Sequence, residues 1–206
     1  MGTDTAAGAE AADAAAPPAS GRDRLLERVA DHVLEHGATD LSLSELARAV
    51  GSNNRMLLYY FGSKEEVLRQ ATLVAFERFP HLEGALRRLA EPGRPLRERL
   101  LQVWQDIVHP DNLPFLALFF QAFGVALYHP DRNRELLVRL GVEWVGDVRA
   151  VLEAEGVEPA SADRIATQLV AEWRGLQFAL LSGADRSVLD GSYADLVARI
   201  PLPGDR

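Results

Sequence analysis

Residues 41–64 read LSLSELARAVGSNNRMLLYYFGSK, and the fold is decided there. Ser42, followed three residues on by Glu45, matches a capping box, in which hydroxyl and carboxylate satisfy each other's orphan amides at the start of a helix. The pattern predicts a short helix from Leu43 to Val50, broken by Gly51. Ser52 is placed to cap a second helix, Asn53 to Tyr60, running to Phe61 before Gly62. Ser63 and Glu66 form a second capping box that opens a longer helix carrying Val67, Leu68, Ala71, Val74 and Ala75, which stops before Pro80. Upstream, Leu25, Leu26, Val29 and Val33 share one face of a helix over residues 22–36, ended by Gly37.

Two short helices joined at a glycine and braced by a preceding helix are the parts of a helix-turn-helix, whose second helix enters the major groove of DNA. Leu43, Leu46, Ala47 and Val50 can face Leu57 and Phe61, which leaves Ser44, Arg48, Asn53, Asn54, Arg55 and Tyr59 outside. Asparagine can pair with an adenine edge, arginine with guanine or phosphate, and tyrosine with phosphate or a thymine methyl.

The runs Leu41-Ser42-Leu43-Ser44-Glu45-Leu46-Ala47, Val50-Gly51-Ser52 and Leu57-Leu58-Tyr59-Tyr60-Phe61-Gly62-Ser63-Lys64-Glu65 resemble the tetracycline-repressor (TetR) family. The resemblance is close over residues 22–70 and extends further only in helical layout. It implies that Ser42 and Ser44 touch phosphate or base edges, that Asn54, Arg55, Tyr59 and Tyr60 lie on the recognition helix, and that Lys64 holds phosphate. The chain departs from the family at Leu58, where tyrosine is common, and at Arg55-Met56, where a glycine or small residue is common earlier in the helix. Lys64 is also notable physically: a cation in the first helical turn opposes the helix dipole, and a phosphate lying there reverses that sign.

Charge does not argue for DNA. From Arg22 to Gln70 there are seven Arg or Lys and eight Asp or Glu, a net of −1, whereas nucleic-acid binders usually carry a basic excess. A few local donors must act, in two copies. The 206 residues, 48% of them hydrophobic, suffice for a sizeable core, and the absence of cysteine excludes disulfides and thiolate chemistry. Residues 1–21 read as a disordered tail: the first twenty hold nine alanines, two prolines and three acids, with no basic start or unbroken apolar run of a signal peptide. The most apolar stretch, Leu113 to Tyr128, is short for a membrane span and contains a proline.

The remainder reads as helix, with no sustained strand alternation. Leu96, Leu100, Val103, Trp104 and Ile107 mark one helix and Leu113 to Tyr128 a second. Leu137, Leu140, Trp144, Val148 and Val151 mark a long third, closed by Gly156. A fourth runs from Ser161 or Ala162 to Gly183, and a short terminal one from Tyr193 to Ile200. The expected fold is all-α: tail 1–21, helix-turn-helix unit 22–62, connecting helix 63–80, and a helical ligand-binding and dimerisation domain 81–206. At 100° per residue, Gln168, Ala171, Glu172, Gly175, Ala179 and Ser182 cluster on one side of the fourth helix. Small residues every four positions admit a close twin helix, so this side is the expected two-fold dimer contact, completed by the terminal helix. Opposite lie Trp173 and Gln177. With Trp104, Phe115, Phe119, Phe123 and Trp144 they are the expected lining of an apolar effector pocket.

His32-Val33-Leu34-Glu35-His36 matches the H-x-x-E-H pattern of inverted zinc proteases, but it sits on the bracing helix without a persuasive third ligand. Phosphate-loop, nucleophile-elbow and dinucleotide motifs are missing from the sequence. The expectation is a cytoplasmic, non-enzymatic regulator that acts as a homodimer. It needs no cofactor or metal, does not enter a membrane, and is released from a palindromic double-stranded operator by an unknown small molecule. A helical protein-binding adaptor is the alternative, and a zinc peptidase a more distant one.

Overall fold

The computed structural model describes residues 20–38, 41–78 and 82–202, apart from the side chains at 82, 83, 139 and 140. The tail over 1–19, the stop at Pro80 and the Leu140 side chain lie outside the described residues. Among these residues there are helices and no strands.

The first unit holds α1 (Gly21–His36), α2 (Leu43–Ala49), α3 (Asn54–Phe61) and α4 (Lys64–Glu77). Helix α1 begins before Arg22, because Ser20 and Asp23 form a capping box at its end. Ser20 and Gly21, which the expected tail of residues 1–21 included, therefore belong to the first unit. The Ser42–Glu45 box at α2 has both of its hydrogen bonds. At α3 the cap is Asn53 rather than Ser52, its carbonyl oxygen accepting from Met56 N–H at 3.0 Å. The second box is only half made: Ser63 accepts from Glu66 N–H at 3.1 Å, while the Glu66 carboxylate turns to Arg69 at 2.7 and 2.9 Å and to Gln70. Gly51 and Gly62 have φ of 60° and 80°, the left-handed region that lets glycine reverse the chain at each end of α3. Leu25, Val29, Val33, Leu46, Leu57 and Val67 meet in one core.

The second unit contains α5 (Leu82–Ala90), α6 (Leu96–Ile107), α7 (Leu113–Tyr128), α8 (Arg134–Gly141), α9 (Glu143–Ala154), α10 (Pro159–Leu181) and α11 (Arg186–Arg199). Three expectations change. Helix α5 is unmarked by the spacing, since only Ala85 and Leu89 of it are buried among the described side chains. The long third helix is two, interrupted at Val142 just after Gly141, a residue that weakens a helix interior. The terminal helix starts well before Tyr193: Asp185 caps it through Ser187 and Val188 N–H, and Leu189, Tyr193 and Val197 bury one continuous stripe. Packing thus overrides the turn-like Asp190-Gly191-Ser192 composition.

Helix α7 with the 3₁₀ turn before it, Pro110–Tyr128, is long and apolar enough by composition to cross a membrane. Within the protein it is a shared wall. Leu118 enters the core of the first unit, and Leu116 the core of the second.

Candidate functional site

The outward side of the helix-turn-helix is built by the caps. Ser42 and Ser44 are exposed on α2, and Asn53, Asn54, Arg55 and Tyr59 on α3, with Tyr59 at 78% exposure. Asn54 Nδ2 donates to Ser44 Oγ at 2.8 Å, so the two helices hold their polar ends in one register. Tyr60 is half-buried, its ring edge-on to Tyr59 and Phe61. Lys64, in the first turn of α4, is also half-buried and donates from Nζ to the Leu41 carbonyl at 2.9 Å. That bond ties α4 to the loop leading into α2 and keeps the ammonium at the α4 N-terminus.

Several of the unit's carboxylates are engaged within the protein, although most stay exposed and charged. Asp23 and Glu45 are occupied as capping carboxylates, and their pKa values are lowered by the serine hydrogen bonds they receive. Glu27 and Asp31 both pair with Arg78. Hydrogen bonds from Arg69 and then Gln70 pull Glu66 down to about 2, against the opposing effect of burial. Arg24, Arg28, Arg48 and Arg55 remain on the surface. Arg24 and Arg28 of α1 line an open groove of about 550 Å³ beside α3, whose other walls include Gly21, Ser52, Met56 and Tyr60. Sequence reading missed this pair. Their exposure at the i and i+4 positions of α1 was legible, but their nearness to α3 was not. Leu58, 44% exposed on α3, was treated only as a departure, and it adds apolar surface between Asn54 and Tyr59.

In the second unit, six residues gather where α7, α9 and α10 meet. Phe119 and Phe123 stack with centroids 6.1 Å apart, and Trp144 stands edge-on to Trp173 at 6.0 Å. Between them lies Arg174, its guanidinium carbon 4.0 Å from the Phe119 ring centre and 5.1 Å from that of Trp144. It donates to the Gln177 side-chain oxygen at 3.4 Å, so Gln177, 1% exposed, has a polar neighbour that the sequence did not suggest. Burial pushes Arg174 down to about 10. Trp173 is 1% exposed, and its indole lies against Tyr193, whose hydroxyl its N–H faces without forming a well-made hydrogen bond. Of the other expected lining residues, Phe115 is buried on α7. Trp104 stands apart, donating to Asp190 at 2.6 Å and reaching Trp173 only through the Tyr193 ring.

On α10, Gln168, Ala171, Gly175 and Ser182 are exposed, Glu172 and Ala179 half-buried, and Phe178 adds an aromatic ring at 62% exposure. At the far end of α1, the His32 and His36 rings stack 4.5 Å apart, and His36 Nδ1 faces the His32 carbonyl. No group of three or more His, Asp or Glu among the described residues is arranged to hold a metal.

Residues 28–71 match the family described as bacterial regulatory proteins, tetR family. The chain is 31% identical over 135 residues to the HTH-type transcriptional repressor NicS of Pseudomonas putida, a match covering 65% of this chain and 62% of that protein. The match thus spans less than two thirds of the relative. A TetR-family transcriptional regulator from Cytophaga hutchinsonii superposes with a TM-score of 0.70 at 18% identity, over 89% of this chain and 98% of that one. A protein from Saccharomonospora viridis solved in complex with choline does so with a TM-score of 0.66 at 22% identity, over 86% and 95%.

Proposed function

The chain belongs, through residues 28–71, to the tetR family of bacterial regulatory proteins, and from that premise we propose that it is a transcriptional repressor. It grips a palindromic operator as a two-fold dimer and releases it when a small molecule enters the larger unit.

The observation that carries this reading is the surface of α2 and α3. Ser42, Ser44, Asn53, Asn54, Arg55 and Tyr59 face outward together over a fully packed apolar side. Asn54 and Arg55 are the base readers, with Asn53 divided between capping α3 and the groove. Ser42, Tyr60 and Lys64 hold phosphate, joined by Arg24 and Arg28 along the groove beside α3. The exposed small-residue side of α10 supports a symmetric dimer, which would give each net-acidic unit a second set of contacts. The aromatic cluster around Arg174 is the effector site. Effector control needs only that the ligand prefer a dimer whose recognition helices are wrongly spaced for the operator.

Selection by the full-length protein from a random duplex pool tests this reading. Two inverted half-sites should be enriched, as a symmetric dimer requires. An adaptor protein would enrich no palindrome, and that result would overturn the proposal. A zinc peptidase through His32 and His36 would instead show tightly held metal and activity lost on His36→Ala.

A further inference from the structure

We infer that Leu58 reads the C5-methyl of a thymine in each operator half-site, which makes it a specificity-determining residue of α3. This rests on the reading of the chain as a DNA-binding repressor and adds a base identity to it.

Helix α3 is anchored by Leu57 and Phe61, 1% and 6% exposed, and the half-buried Leu41, Leu43 and Tyr60 close the edge of the same core. Leu58 stands outside, 44% exposed. Much of its apolar surface is left in water, and only an apolar contact removes that cost.

Its position on the helix decides what it can meet. It follows Asn54 by four residues and Arg55 by three, the two spacings that set helical side chains side by side, and it precedes the exposed Tyr59. Asn54 is bonded across to Ser44 of α2 at 2.8 Å, so the surface around Leu58 is shared by both helices of the turn. A single leucine among an amide, a guanidinium and a phenol is too small an apolar patch for a protein partner's groove, and it matches the edge of a base pair.

Chemistry then selects the base. Leucine has no side-chain donor or acceptor, so it gains nothing from phosphate or from the polar edges of the bases. The apolar group that the major groove exposes is the thymine methyl. Asn54 beside it suits adenine, and every adenine is paired with a thymine whose methyl lies in the same groove. The tyrosine common in the family at this position carries a hydroxyl for phosphate, whereas leucine keeps only the methyl contact.

The test starts from the half-site that the full-length protein enriches from random duplexes. Each thymine in one half-site is replaced in turn by deoxyuridine, which removes the methyl and leaves the hydrogen-bonding groups in place, and affinity is read by fluorescence anisotropy at fixed salt. At one thymine the wild type should bind about four-fold more weakly, the scale of one buried methyl-sized group. Leu58→Ala should bind the thymine and deoxyuridine duplexes equally at that position, and Leu58→Met should keep the preference. The salt slope of Leu58→Ala should match that of the wild type, since no phosphate contact is lost. Both variants change an exposed side chain and should fold as the wild type does by circular dichroism. A half-site without thymine, deoxyuridine tolerated at every position by the wild type, or a deoxyuridine penalty undiminished at every position in Leu58→Ala would each overturn the inference. Any of these with a palindrome still enriched leaves the DNA-binding reading in place, whereas a protein that enriches no duplex removes both.

Discussion

Lys64 is the only lysine in the chain, and its ammonium sits at the start of α4 with one donor on the Leu41 carbonyl. An ammonium carries three donors, so others can serve a phosphate approaching the helix N-terminus. Replacing it with alanine should weaken binding to all DNA sequences alike and flatten the salt dependence by about one unit, while Lys64→Arg should restore the slope. An unchanged slope in operator titrations from low to moderate salt would remove Lys64 from the interface. Glu66 makes a prediction of the opposite kind, about stability rather than binding. Its carboxyl is held at about 2, against an ordinary value of 4.5, by Arg69 and Gln70. A depressed carboxylate contributes stability that is present above its unfolded pKa and is lost as pH falls through the folded one. Urea unfolding should therefore show the wild type losing stability between pH 4.5 and pH 2 more steeply than Glu66→Gln, and parallel curves would contradict this.

At the scale of the helix, α10 divides cleanly. Trp173, Gln177, Leu169 and Val170 are buried, and Ala171, Gly175 and Phe178 are exposed. Helix α11 continues the theme with Gly191, Ala194 and Ala198 on its outer side. A Cβ added at Gly175 would meet no heavy atom within 4 Å, so larger residues fit the single chain. They would not fit a close helix–helix crossing. If the proposed dimer forms through this face, Gly175→Leu should fold normally by circular dichroism, sediment as a monomer while the wild type sediments as a dimer, and lose operator affinity. A Gly175→Leu dimer of undiminished strength would place the symmetric contact elsewhere.

Across the whole molecule, α7 is the element the two units share. Leu118 enters the first core, and its neighbour Phe119 lies under Arg174 in the second unit. One turn on, Gln121 accepts from Ala38 N–H at 2.6 Å, at the loop leading into the helix-turn-helix. A shift of α7 on ligand binding would reach α1 directly as well as through α4, which packs against both. Gln121→Ala should leave operator affinity near that of the wild type. The ratio of operator affinities without and with the most stabilising small molecule, about 5- to 150-fold in coupled systems, should fall toward one. Electrophoretic mobility shifts with and without that ligand measure it, and an undiminished ratio would mean that the coupling bypasses this contact.

Much was legible in the amino-acid order because it rests on local physics. The serine and glutamate caps, the glycines flanking α3 and the 3.6-residue apolar stripes each act within a few residues of themselves. From them follow the helix-turn-helix, its exposed polar residues and the two-sided character of α10. What involved distant partners was not legible. The break at Val142, the start of α11 at Arg186 and the approach of Arg24 and Arg28 to α3 depend on which surfaces pack together. Arg174 is the clearest case. In the sequence it is one charge on a long helix, and only the meeting of α7, α9 and α10 sets it against Phe119 and Trp144. Sequence alone determined that this chain is helical and presents an exposed polar helix within a helix-turn-helix. Tertiary structure decided which charges are neutralised and which cation is enclosed, because desolvation and pairing depend on neighbours in space.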